Sequence, residues 1–141
     1  MKSSLQTLTR IQKFQIDEQR KILNGCLAEE EELVAGLSEL NRQFSEEKRF
    51  AQDNPGVGDF GTYTRRYLQE REAFETKIAA VRRKIEEIRD IIADLFKEQK
   101  TYEIVDENRR KRAEKEENAK EQKTLDEIGT NNFIRNNKNK N

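Results

Sequence analysis

Few residues in this chain could do chemistry. Cysteine occurs once, at Cys26, and histidine is absent. Ser–His and Cys–His nucleophile pairs therefore cannot be assembled, and the usual zinc sites lack their ligands. Cys26 cannot form an internal disulfide. It falls on an apolar stripe between Ile22 and Leu33, where it reads as a small buried hydrophobe rather than a reactive thiol. That usage is compatible with a reducing compartment. The run Glu29-Glu30-Glu31-Glu32 suggests a cation site at first. On a helix, however, consecutive side chains fan around the cylinder and cannot converge on one ion, so a solvated face is expected. Gly56-Val57-Gly58 is a turn rather than a phosphate loop, and no nucleophile elbow or catalytic acid pair is present. No enzyme activity, metal or cofactor is expected.

The remaining candidates are contact surfaces, and each has a plain structural alternative. Arg109-Arg110-Lys111-Arg112 is a basic cluster that could face nucleic acid. Glu107, Glu114, Glu116, Glu117 and Glu121 surround it and would repel phosphate, which favours a solvated face or an acidic protein surface. Aromatic residues gather around the centre of the chain: Phe44, Phe50, Phe60, Tyr63 and Tyr67. Phe44 and Tyr67 are expected to pack on each other. Phe60 and Tyr63 are harder to bury, and either an exposed contact patch or internal packing fits them. The apolar residues near the two ends are Leu5, Leu8, Ile11, Leu125, Ile128 and Phe133. They form a docking tip for a groove or ring in a partner, or else fold back and fray.

The elements that must position these groups are helices. From Ile78 the apolar residues step by three and four through Val81, Ile85, Ile88, Ile92 and Leu95, followed by Gln99 and Tyr102, which is a heptad seam needing a partner helix. A second stripe lies upstream: Leu5, Leu8, Ile11, Ile22 or Leu23, Cys26, Leu33, Leu37, Leu40 and Phe44. Gln12, Gln15 and Gln19 interrupt it. Between the two lies the chain's single proline, within Asp53-Asn54-Pro55-Gly56-Val57-Gly58, where a helix cannot continue. The reading is an all-α, long two-helix antiparallel coiled-coil hairpin over 1–135, with helices at about 3–53 and 62–128 and a loop at 54–61. Ser3 or Ser4 would cap the first helix and Thr62 the second. The second helix outlasts the first as a protruding charged helix, ends near Gly129, and leaves a disordered tail at 136–141.

Composition agrees with a seam rather than a globular core. The 141 residues are 33% hydrophobic and 40% charged, and 28 basic residues balance 28 acidic ones. That balance does not indicate a nucleic-acid binder. Residues 1–10 lack the apolar stretch of a signal peptide, and no apolar run reaches bilayer length, so a cytoplasmic protein is expected. If the chain folds back at the proline, facing residues have numbers summing to roughly 112. Phe44 then meets Tyr67, Leu33 meets Ile78 or Val81, and Cys26 meets Ile85 or Ile88. Gly36 lies near the seam, where a missing side chain permits close approach. Gly25 has no such explanation.

Leu5-Gln6-Thr7-Leu8 opening a long helix, the pair Gly25-Cys26, a central break, and Leu125-Asp126-Glu127 after a charged helix together resemble the flagellar export protein family FliJ. The resemblance implies an antiparallel coiled coil similar to the stalk of rotary ATPases. It would serve the flagellar type III export apparatus from the cytoplasmic side, peripherally associated with the membrane machinery. The implied partners are the hexameric export ATPase, the membrane export-gate protein and export chaperones. The resemblance places the ATPase at the end carrying Leu5, Leu8, Leu125 and Ile128, and the gate on a flank including Glu32, Gly36, Phe44 and Tyr67. The rival readings are a generic coiled-coil scaffold and a hairpin chaperone with exposed aromatics.

Overall fold

The computed structural model describes residues 4–139, which form two helices: α1, Ser4–Asp53, and α2, Phe60–Asn139. No strand occurs among the described residues. Ser3 lies outside them, so the choice between Ser3 and Ser4 as cap is left there. Contacts divide the chain into two compact units, where the sequence suggested one body over 1–135. One unit spans Arg10–Lys97, and the other combines Met1–Thr9 with Glu98–Asn141.

In the 10–97 unit, α1 and α2 run antiparallel and bury one seam. The cluster at its heart is Cys26, Val81, Ile85 and Ile88, with Leu23, Leu27, Leu33 and Ile92 packed around it. At ~1.5–3 kcal/mol for each fully buried Ile or Val, a few such layers can hold two helices together. Pairings along the unit keep the expected register. Phe44 stacks on Tyr67 with ring centres 3.9 Å apart, and Arg82 Nε reaches Glu30 Oε2 at 3.2 Å. Phe74 lies so close to Gly36 that a Cβ there would fall 2.8 Å from the ring. The glycine thus does allow close approach. Around Gly25 nothing lies within 4 Å of where a Cβ would sit.

The α2 seam matches expectation, but the start of the α1 seam does not. Leu8 and Ile11 are exposed, whereas Gln12 and Ile16 are buried and Gln19 half-buried. The reason is angular. Stepping by three from Leu5 to Leu8 to Ile11 drifts ~60° per step around the helix, while alternating four and three stays on one face. That face runs Leu5, Thr9, Gln12, Ile16, Gln19, Leu23, Cys26. Ile16, flanked by Gln12, Gln15 and Gln19, is only 2% exposed on that face. Leu23 rather than Ile22 turns inward.

The turn between the helices is built from backbone chemistry. The Asn54 backbone N–H and side-chain amide both donate to the Phe50 carbonyl, closing α1, at 2.9 and 3.0 Å. Pro55 follows, and Gly56 and Gly58 adopt φ of 83° and 73°, which side chains with a Cβ resist. The cap of α2 is Asp59, not Thr62. Thr62 donates its backbone N–H to Asp59 Oδ1 at 3.1 Å and its hydroxyl to Oδ2 at 2.6 Å. A carboxylate at that end also complements the positive end of the helix dipole.

In the other unit, α2 continues through Gly129 to Asn139, so the helix does not end where the glycine suggested. Residues 136–139, expected in the disordered tail, are helical, and 140 and 141 lie outside the described residues. No described helix is long and apolar enough to cross a membrane.

Candidate protein-interaction surfaces

Near the turn, the aromatic residues form a stack. Phe44 packs on Tyr67 and stacks with Phe60 and Tyr63 at 5.8 and 6.3 Å between ring centres. The Tyr67 hydroxyl donates to Asn41 Oδ1 at 2.6 Å, which ties the ring to α1. Phe60 and Tyr63 are half-buried, so internal packing claims part of each ring. Phe50 and Val57 are more than half exposed, and they line a shallow groove with Glu47, Asp59, Phe60 and Tyr63. Sequence reasoning named Phe50 but gave Val57 no part. Its position between two turn glycines was the available signal, since an apolar side chain on a tight turn has little to pack against.

Among the residues implied for the gate contact, Gly36 lies under Phe74 and both Phe44 and Tyr67 belong to the stack. Only Glu32 of that set points freely to water. The neighbouring surface is held by charge: Arg42 bridges Glu39 and Glu46 along α1. Hydrogen bonding from Arg42 holds the Glu39 carboxyl below the usual carboxylate range, and the same partners push the arginine upward. Asp59 is likewise lowered, first by the Thr62 hydroxyl and then by the Thr62 backbone N–H.

In the unit of 1–9 and 98–141, Leu5 and Thr9 of α1 and Tyr102 and Asp106 of α2 line one groove. Leu5, Tyr102 and Val105 are half-buried, while Leu8 is exposed. From Glu107 to Asn139 every residue is exposed. Within that stretch Leu125, Ile128 and Phe133 are 62%, 50% and 65% exposed. Leu125 and Ile128, three residues apart, share a face. At ~100° per residue, Phe133 lies about 80° around from Leu125, and Ile134 about 180°. Ile134, 47% exposed, was missed by sequence reasoning although it adjoins Phe133. Ile11, grouped with these residues from sequence, belongs to the 10–97 unit.

The basic cluster sits on the same exposed helix and is partly paired along it. Arg110 contacts Asp106 at 3.0 Å and Lys111 contacts Glu107 at 3.2 Å, both four residues away. Arg109 and Arg112 are exposed. Such a mixed-sign surface suits a solvated helix better than a phosphate track. Among the described residues, no group of acidic, Cys or His side chains is arranged to hold a metal ion.

No curated protein and no solved structure matches the chain. The family model described as "Flagellar FliJ protein" matches residues 1–138. With the match running through both helices, the chain belongs to the flagellar FliJ family.

Proposed function

We propose that this chain is a non-enzymatic stalk and adaptor of the flagellar type III export apparatus, folded as an antiparallel coiled-coil hairpin. Family membership supports the coarser part of this reading, a component of flagellar export. The observation that carries the finer part is the wholly exposed helix from Glu107 to Asn139 with Leu125, Ile128 and Phe133 on it. A helix that leaves large apolar side chains in water gains free energy only when a partner covers them. The proposed partner for Leu125, Ile128 and Phe133, together with Leu5 and Leu8, is the hexameric export ATPase. A helix entering a ring can touch several subunits unequally, as a stalk must.

The export gate is assigned to the face around Glu32, with Gly36, Phe44 and Tyr67 shaping it from within. Export chaperones are further partners. In this reading the protein is cytoplasmic and is held at the membrane by its partners.

The test is ATPase stimulation by the full chain against a version truncated before Leu125. Under the stalk reading, truncation and the double change Leu125→Gln/Ile128→Gln both abolish stimulation while circular dichroism stays strongly helical. Equal stimulation by the full and truncated chains would reduce the protein to a tether.

A further inference from the structure

The two flanks of the seam in the 10–97 unit are finished differently. One flank is lined by arginines of the facing helix, although the apolar side chains there, Phe96 at 42% and Val34 at 41%, stay about as exposed as those of the other flank. The Arg20 guanidinium lies 5.4 Å from the centre of the Phe96 ring, and Arg82 lines a groove with Val34. Long cationic stems shield apolar surface while keeping their charge in water.

On the other flank the register set by Glu30–Arg82 and Phe44–Tyr67 places Ile22 opposite Ile91. Both are 44% exposed, and Ile11, on the same side of α1, is 48% exposed. Gly25 lies on this side too, one turn from Ile22. A glycine inside a helix costs ~1 kcal/mol relative to alanine. Among the described residues, none comes within 4 Å of where a Cβ on Gly25 would sit. Gly36, by contrast, has its space filled by Phe74. The carboxylates along this flank are Glu18, Glu29, Glu87 and Asp94, against one lysine, Lys84, which the register places opposite Glu29 one heptad from Ile91. Lys21 pairs with Glu18 at 3.2 Å.

We infer that this flank, with Ile22 and Ile91 at its centre and Gly25 as a notch, seats a third helix that is amphipathic and basic. Isoleucines facing each other give the apolar floor. The glycine lets a partner backbone or bulky side chain come close. The acidic rim selects cations on the incoming helix and disfavours an acidic one. The inference goes beyond the stalk reading and does not depend on it, because none of these residues belongs to the exposed helix beyond Glu107.

The test titrates the full-length protein into two labelled helical peptides of about 21 residues that share a leucine seam and carry either Lys or Glu on their other faces. Fluorescence anisotropy should show the Lys peptide binding about tenfold or more tightly than the Glu peptide. Ile22→Gln and Ile91→Gln should each weaken the Lys peptide about tenfold, whereas Val34→Gln on the arginine-lined flank should leave it within about twofold. Gly25→Ala supplies a readout that misfolding cannot imitate: Tm should rise while peptide binding weakens. The inference is overturned if Ile22→Gln and Gly25→Ala bind like the parent protein, or if both peptides bind equally. It is also overturned if sedimentation finds a dimer that Ile22→Gln converts to monomer, since the occupant would then be a second copy.

Discussion

The 10–97 unit and the stretch of α2 from Glu107 to Asn139 are both helical, but for different reasons. In the first, helix is maintained by burial: Val81, Ile85 and Ile88 are 3–5% exposed and pack around Cys26. In the second, every side chain faces water. Helix there rests on local terms, namely strong helix formers and pairs such as Lys111–Glu107. Local terms of this kind contribute a few tenths of a kcal/mol each, whereas one buried branched side chain contributes ~1.5–3 kcal/mol. The same polymer shape therefore hides two regimes. One is rigid because it is covered, and the other is available because it is not.

The largest expected effect breaks the first regime and spares the second. Ile85→Ala removes a side chain that is 3% exposed from the centre of the cluster. It should destabilise the protein by about 2–4 kcal/mol, read as a lower urea midpoint by circular dichroism. Leu125→Ala removes a similar mass from a side chain that is 62% exposed. Its unfolding free energy should stay within about 0.5 kcal/mol of the parent. If Leu125→Ala proved as damaging as Ile85→Ala, the exposed helix would be packed in solution, and its availability to a partner would fail with it.

Three glycines sharpen the contrast at a smaller scale. Gly36→Ala gains helix propensity, but its methyl group would meet the Phe74 ring at 2.8 Å. Overpacking costs about 1–3 kcal/mol and should outweigh the ~1 kcal/mol gained, so Tm should fall. Gly25→Ala and Gly129→Ala meet nothing within 4 Å. Gly25→Ala should raise Tm, because its helix is part of the cooperative packed unit. Gly129→Ala should raise helicity while leaving the main thermal transition in place, since the helix around it is not stabilised by burial.

Legibility in the sequence follows the same divide. The α2 seam could be read directly because Ile78, Val81, Ile85 and Ile88 are apolar, correctly spaced and without competitors. The start of α1 misled because apolar residues outnumber inward positions. Leu8, Ile11 and Phe14 are exposed, while Gln12 occupies the seam. Hydropathy alone cannot show that a long glutamine with an aliphatic stem will be chosen over isoleucine when only one azimuth closes the register. The end of α2 was misjudged for a related reason. Gly129 has the type of a helix terminator, but termination also needs a following turn to satisfy the last carbonyls. Here the backbone simply continues. Contact surfaces were the least legible, because exposure depends on which face the partner helix takes. Spacing places Gly36, Phe44 and Tyr67 at the seam, where they pack, and only the family resemblance puts them on a contact flank.

The smallest expected effect lies at the cap of α2 and separates electrostatics from packing. The Thr62 hydroxyl and backbone N–H both donate to Asp59, and these bonds hold its carboxyl below the usual carboxylate range in the folded protein. A group whose folded pKa is depressed binds its proton more readily in the unfolded chain. Its stabilisation is therefore complete above the ordinary Asp value and is lost as pH falls through the lower, folded value. Asp59→Asn keeps a side-chain oxygen for the Thr62 N–H but removes the charge and the titration. Comparing Tm across the acid range should give a parent curve that falls more steeply than that of Asp59→Asn, with the two converging at the acid end. Asp59→Ala should lie below both at neutral pH, because it loses the cap as well as the charge. Parallel curves for parent and Asp59→Asn would mean that the hydrogen bonds to Thr62 do not survive in solution, and that α2 begins by propensity alone, as its exposed far end does.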